Sequence, residues 1–226
     1  MFNKNILGIV FSLGLSLTAP SFASSLATAD WEKIGDSDGI EVFKMEIAGS
    51  PVVAFKGQGK IKASIAKVAS IITDSKRAVE WVDRLKESRL VRVISDDEQI
   101  QYNHIGTPPI IMKDRDFVIR YKMEMNPEKG TFILNLSSVV DPEAPETDYV
   151  RGQILESSYR LKALNDQETY VIAEVHADPK GGVPKWVVNS FQKDWPVNTI
   201  SSLRKQADKT DIQENPRFQK IFLKKK

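Results

Sequence analysis

Between positions 115 and 125 the chain alternates without a break. Phe117, Ile119, Tyr121, Met123 and Met125 fall on one side, and Arg120, Lys122 and Glu124 on the other. A repeat of two is the period of a strand with one buried and one wetted face, the usual condition of an antiparallel sheet. Positions 98–105 repeat the pattern, with Ile100, Tyr102 and His104 opposite Gln99, Gln101 and Asn103. Runs at 40–47, 52–61, 88–95, 130–140, 149–163 and 168–177 read as further strands. The turn residues Ala48-Gly49-Ser50-Pro51 join the first two of these as a hairpin.

The period changes in two places. Ile65, Val68, Ala69 and Ile72 recur at helical spacing within 64–73, and a short second helix carries Ala78, Val79, Trp81 and Val82. After Asp178-Pro179-Lys180-Gly181-Gly182, one long helix is predicted over 183–209. Val187, Val188, Phe191, Trp195, Ile200 and Leu203 form its apolar side, and Pro196 should bend it locally. Strands, a helical pair, a long antiparallel series and a terminal helix make an α+β layout. A sheet of that length curls, and an amphipathic helix can close its open face while leaving space between the layers. The acidic stretch 141–146 reads as a solvated connection, and no internal repeat or composition break divides the chain.

Composition narrows the function classes. With 41% hydrophobic and 27% charged residues, the chain is neither disordered nor fibrous. The absence of cysteine excludes thiol catalysis, cysteine-zinc sites and disulfides. Thirty-two basic against 30 acidic side chains argue against a general grip on nucleic acid. His104 and His176 lack metal-ligand spacing and no nucleophile elbow is present, so no metal, cofactor or catalytic residue is expected. Positions 1–23 read as a secretory signal peptide: Lys4, an apolar run over 6–17, then Ser21 and Ala23 at a small-x-small cleavage site. That run is shorter than the roughly 20 residues a spanning helix needs. Cleavage after Ala23, with Ala29 as a second candidate, predicts a periplasmic or secreted protein. Positions 210–226 read as a basic, solvated tail carrying Lys220 and Lys224-Lys225-Lys226.

Seven short motifs then appear in order: Asp38-Gly39-Ile40, Phe55-Lys56-Gly57, Glu80-Trp81, Arg115-Asp116-Phe117-Val118, Val150-Arg151-Gly152, Asp178-Pro179-Lys180-Gly181 and Pro184-Lys185-Trp186-Val187-Val188-Asn189. Through them the chain, over about 30–209, resembles a START domain, the lipid-transfer module of the helix-grip fold. The resemblance implies a long curved antiparallel sheet around a C-terminal helix. It further implies one lipid (a phospholipid, a sterol or another hydrophobic molecule) held in a tunnel between them by a monomer that touches membranes transiently.

The expected tunnel wall is Phe117, Ile119 and Met123, with Val187, Val188 and Phe191 from the helix. Ordinary core packing is the other reading of these side chains. Tyr102, His104 and Tyr121 are expected to point inward, with Arg115 at the mouth. Arg115 with Asp116 can equally be a framework ion pair, and His104 a hydrogen-bonded wall residue. Ile110, Ile111 and Met112, on the proline-framed loop 106–113, are the expected lid, and with Trp186 the membrane contact.

Two departures leave the lipid class open. Tyr102 and Tyr121 stand where some sterol-binding members carry an acid and an arginine, and Ala78 and Val82 flank Trp81 where the phosphatidylcholine type has charged residues. The alternative function is an enzyme of the wider superfamily, cyclase- or hydrolase-like, acting on a hydrophobic small molecule in the same cavity.

Overall fold

The computed structural model describes residues 30–107 and 113–223. The predicted leader and Ala29, the loop residues Ile110, Ile111 and Met112, and the terminal lysines 224–226 lie outside the described residues.

Ten strands form a single sheet. In chain order they are β1 (Glu32–Ser37), β2 (Ile40–Met45), β3 (Ala54–Ile61), β4 (Leu85–Ser95), β5 (Glu98–Ile105), β6 (Arg115–Asn126), β7 (Thr131–Ser138), β8 (Val150–Arg151), β9 (Gln153–Asn165) and β10 (Glu168–Asp178). Their spatial order is β1-β2-β3-β10-β9-β7-β6-β5-β4, antiparallel throughout, and the short β8 lies parallel to β6 off that path. Three α-helices are found among the described residues: α1 (Ile65–Thr73), α2 (Lys185–Ala207) and α3 (Pro216–Phe222). This is the expected helix-grip layout, an antiparallel sheet gripping a C-terminal helix.

Sequence accounts for the boundaries. The Ser64 hydroxyl caps α1 by accepting from the Lys67 amide, and Asn215 caps α3 by accepting from the Arg217 amide, with Pro216 in the first turn. The segment Ala78–Glu80 forms one 3₁₀ turn, shorter than the helix expected there. The long helix α2 runs on through Pro196.

The main core lies between one face of the sheet and the helices. Ile61, Met123, Phe132, Leu134, Leu161 and Val171 meet Val68 and Ile72 of α1 and Ile200 and Leu203 of α2. Two elements are absent from the strand and helix patterns read above. β1 has little apolar content and borders β2 at the sheet edge. The expected basic tail is in part a packed helix: Phe218 of α3 is 2% exposed and meets Phe132 edge-on at 5.5 Å. Burying that ring outweighs the solvation that its charged neighbours favour.

Candidate functional site

The pairing of β5 with β6 decides which side chains face α2. Gln101 stands opposite Ile119 and Asn103 opposite Phe117, whereas Tyr102 pairs with Val118 and His104 with Asp116. Phe117, Ile119, Tyr121 and Met123 therefore face inward as expected, and Met123 joins the main core. Tyr102 and His104 do not. They lie on the opposite face, which is also buried, because the 139–151 connection folds back across it.

On that outer face Tyr102 packs with Ile100, Val118 and Ala144. Burial and then the nearby Asp116 charge push its phenol up to about 12, and the Arg89 guanidinium lies 4.8 Å from its ring centre. The His104 ring stacks on Tyr149 at 4.0 Å, and its Nε2 sits 2.8 Å from Asp114 Oδ2. Asp114 also accepts from Lys86 Nζ at 2.7 Å and from the Thr107 amide at 3.0 Å. With His104 these donors, Lys86 foremost, hold its carboxyl well below the usual range. The two aromatic side chains thus fasten a covering connection and line no tunnel.

Arg115 and Asp116 do not pair with each other. Successive strand residues point to opposite faces. The Arg115 fork is spent on backbone carbonyls: Nε donates to Pro179 O and Nη2 to Lys180 O, each at 3.1 Å, and Nη1 to Lys113 O. It ties the start of β6 to the turn that launches α2. Asp116, fully buried, accepts from Arg151 Nε at 2.8 Å and Nη2 at 3.0 Å, and from Thr147 Oγ1 at 2.8 Å. Burial pushes its carboxyl up, but Arg151 and Thr147 together hold it below its usual value.

A cleft of about 240 Å³ opens between α2 and the ends of β5 and β6. Arg115, Phe117, Thr107, Val188, Phe191 and Trp195 are among its lining residues. The Phe117 ring has its place because residue 152 is glycine: a β-carbon there would stand 2.3 Å from the ring. Phe191 is half-exposed and the Arg84 guanidinium lies 5.4 Å from its ring centre. Val187 is buried, and Trp186 is 72% exposed at the start of α2. Trp195 continues inward to Tyr159 at 6.3 Å, and Tyr159 meets Trp81 edge-on at 6.4 Å. Burial raises the Tyr159 phenol far above its ordinary value.

Inward of the cleft the wall carries polar residues that the alternation pattern assigned to the outside. Gln101 is 2% and Asn103 9% exposed. Asn103 Nδ2 donates to Tyr121 Oη at 3.4 Å, and burial raises the Tyr121 phenol. The paired alternation at β5 and β6 could have found them, but only with the register and with the knowledge that both faces are covered.

Comparison with known proteins supports the fold. An uncharacterized protein of Pseudomonas aeruginosa is 29% identical over 203 residues, covering 89% of this chain and 98% of that protein. The phosphatidylcholine transfer protein of Mus musculus is 21% identical over 185 residues, covering 80% and 85% of the two chains. A solved STAR-related lipid transfer protein from Xanthomonas axonopodis superposes with a TM-score of 0.71 at 25% identity, covering 79% of this chain and 99% of that one. The family model of the START domain matches residues 26–209, and the chain belongs to that family.

Proposed function

We propose that this protein binds one lipid molecule between the sheet and α2 and exchanges it with membranes, performing no chemistry on it. The observation that carries this reading is the cleft between α2 and the sheet, which has Phe117, Val188, Phe191 and Trp195 in its wall. Apolar transfer contributes about 0.8 kcal/mol per buried CH₂, so an acyl chain alone supplies much of an affinity. Membership of the START family supports the same reading, as do the two relatives named for lipid transfer.

In this account the 106–113 connection and the first half of α2 part at a membrane, a lipid enters, and closure excludes water. Gly106 and Thr107 already line the cleft. Trp186 is the membrane-touching side chain, an amphipathic ring suited to the interface. The 1–23 segment would direct the chain to the periplasm or outside the cell, where it acts as a monomer.

The test is transfer of labelled lipids from donor to acceptor vesicles at a protein concentration well below that of lipid. Accelerated transfer is expected. Rates equal to the spontaneous rate for glycerophospholipid, sterol and neutral glycerolipid would overturn the proposal.

A further inference from the structure

Three buried polar atoms on one patch of the inner sheet face have no hydrogen-bond partner: Gln101 Nε2, Asn103 Oδ1 and Ser88 Oγ. The register makes them neighbours, since Ser88 pairs with Asn103 across β4 and β5, and Gln101 lies two residues along the same face. The Trp81 indole Nε1, in the segment leading into β4, is buried and unpartnered as well. A buried polar group without a partner costs about 1–3 kcal/mol. Four such atoms fall on β4, β5 and the segment leading into β4; Arg160 Nη2 and Gln192 Oε1 are unpartnered elsewhere among the described residues.

Around this patch the neighbouring side chains of the sheet are uncharged, and the charged residues Asp83, Arg84, Arg115 and Asp194 line the cleft between the strand ends and α2. Facing the same way are Gln99 and Ile105 of β5 and the Phe117–Met125 series of β6. Phe132, Leu134, Leu136 and Ser138 continue that face on β7. The charges at the start of β6 are engaged elsewhere, Arg115 by carbonyls and Asp116 by Arg151 on the far face. A phosphate or ammonium head placed here would lose its hydration without a counter-charge.

We infer that Gln101, Asn103 and Ser88 form the head-group site for an uncharged lipid that presents a hydroxyl beside an ester or amide carbonyl. The hydroxyl donates to Asn103 Oδ1, and the carbonyl accepts from Gln101 Nε2. Ser88 Oγ serves either partner, because a hydroxyl both donates and accepts. A lone hydroxyl satisfies fewer of these atoms than a hydroxyl–carbonyl pair. This inference rests on the lipid-binding reading and narrows it to one class.

The experiment offers the full chain mixed vesicles of dioleoylglycerol, dioleoylphosphatidylcholine, dioleoylphosphatidylglycerol and cholesterol, and counts bound lipid by native mass spectrometry. Dioleoylglycerol should be enriched about tenfold over its share of the vesicle, the equivalent of one or two hydrogen bonds. Preferential capture of a phospholipid or of cholesterol overturns the inference and leaves lipid binding standing. Capture of no lipid at all overturns both.

The double variant Gln101→Leu, Asn103→Leu should lose the dioleoylglycerol preference while still taking up dioleoylphosphatidylcholine. The change relieves two unpartnered atoms but also removes the Asn103 bond to Tyr121 Oη, so a cooperative thermal transition is required of the variant before its preference is read. A folded double variant that keeps the preference contradicts the assignment. Ser88→Ala, which deletes one hydroxyl, should weaken the preference about threefold, and an unchanged preference there also counts against it.

Discussion

Gly57 of β3 lies directly under Pro196 of α2: a β-carbon at residue 57 would stand 2.6 Å from the Pro196 β-carbon and 3.3 Å from Ile200 Cδ1. That contact sets how closely α2 approaches one flank of the sheet. With the helix seated on β3 and β10, the inner faces of β5 and β6 remain available to a ligand. Gly57→Ala should therefore lift α2 and lower stability by about 1–3 kcal/mol. Urea unfolding reads this directly, and a change below about 0.5 kcal/mol would show that the seat is not a tight one.

Phe218 makes α3 part of the fold. Phe218→Ala empties a buried position against Phe132 and should cost about 3–5 kcal/mol. A variant as stable as the parent would mean that the last helix is dispensable.

The Asp116–Arg151 pair fastens the 139–151 connection over the outer face. Arg151→Met strands a buried carboxylate and should cost about 3 kcal/mol, whereas the double change Asp116→Leu, Arg151→Met should recover most of that loss. The Asp116 carboxyl is held below its ordinary value in the folded chain. Its stabilisation is thus fully present above the unfolded value of about 3.9 and is lost as pH falls below it, through the folded value. Acid unfolding of the double variant should show a shallower dependence on pH below about 4 than the parent. Parallel acid profiles would contradict the assignment.

Trp186 projects into solvent beside the cleft. Trp186→Asp should slow lipid transfer between vesicles about tenfold, the equivalent of roughly 1.4 kcal/mol of membrane contact. Stability should change by no more than about 0.5 kcal/mol, as at an ordinary surface position. Unchanged transfer by a folded variant would remove Trp186 from the membrane contact.

Much of this was legible beforehand. Alternation over β6 and the helical period of α1 and α2 placed the layers, because each of those elements has one face in the core. The motifs also have physical roles that only contacts reveal. Glu80 accepts from Arg77, Gln206 and Lys209, pinning the turn before β4 to the end of α2, and Gly57 and Gly152 clear space for Pro196 and Phe117. β5 misled because both of its faces are covered. Tyr102 and His104 had the apolar look of an inner face, while Gln101 and Asn103 hold it, and no local pattern reports a connection that folds back 40 residues later. The last helix was missed for a related reason: its charged residues dominate the local composition, and one phenylalanine holds it in place.

Native mass spectrometry of the protein purified from the cells that make it tests the central claim most directly. The account predicts a folded chain carrying one lipid molecule that is released on denaturation. A folded chain at its bare mass, which acquires no lipid from vesicles either, would contradict it.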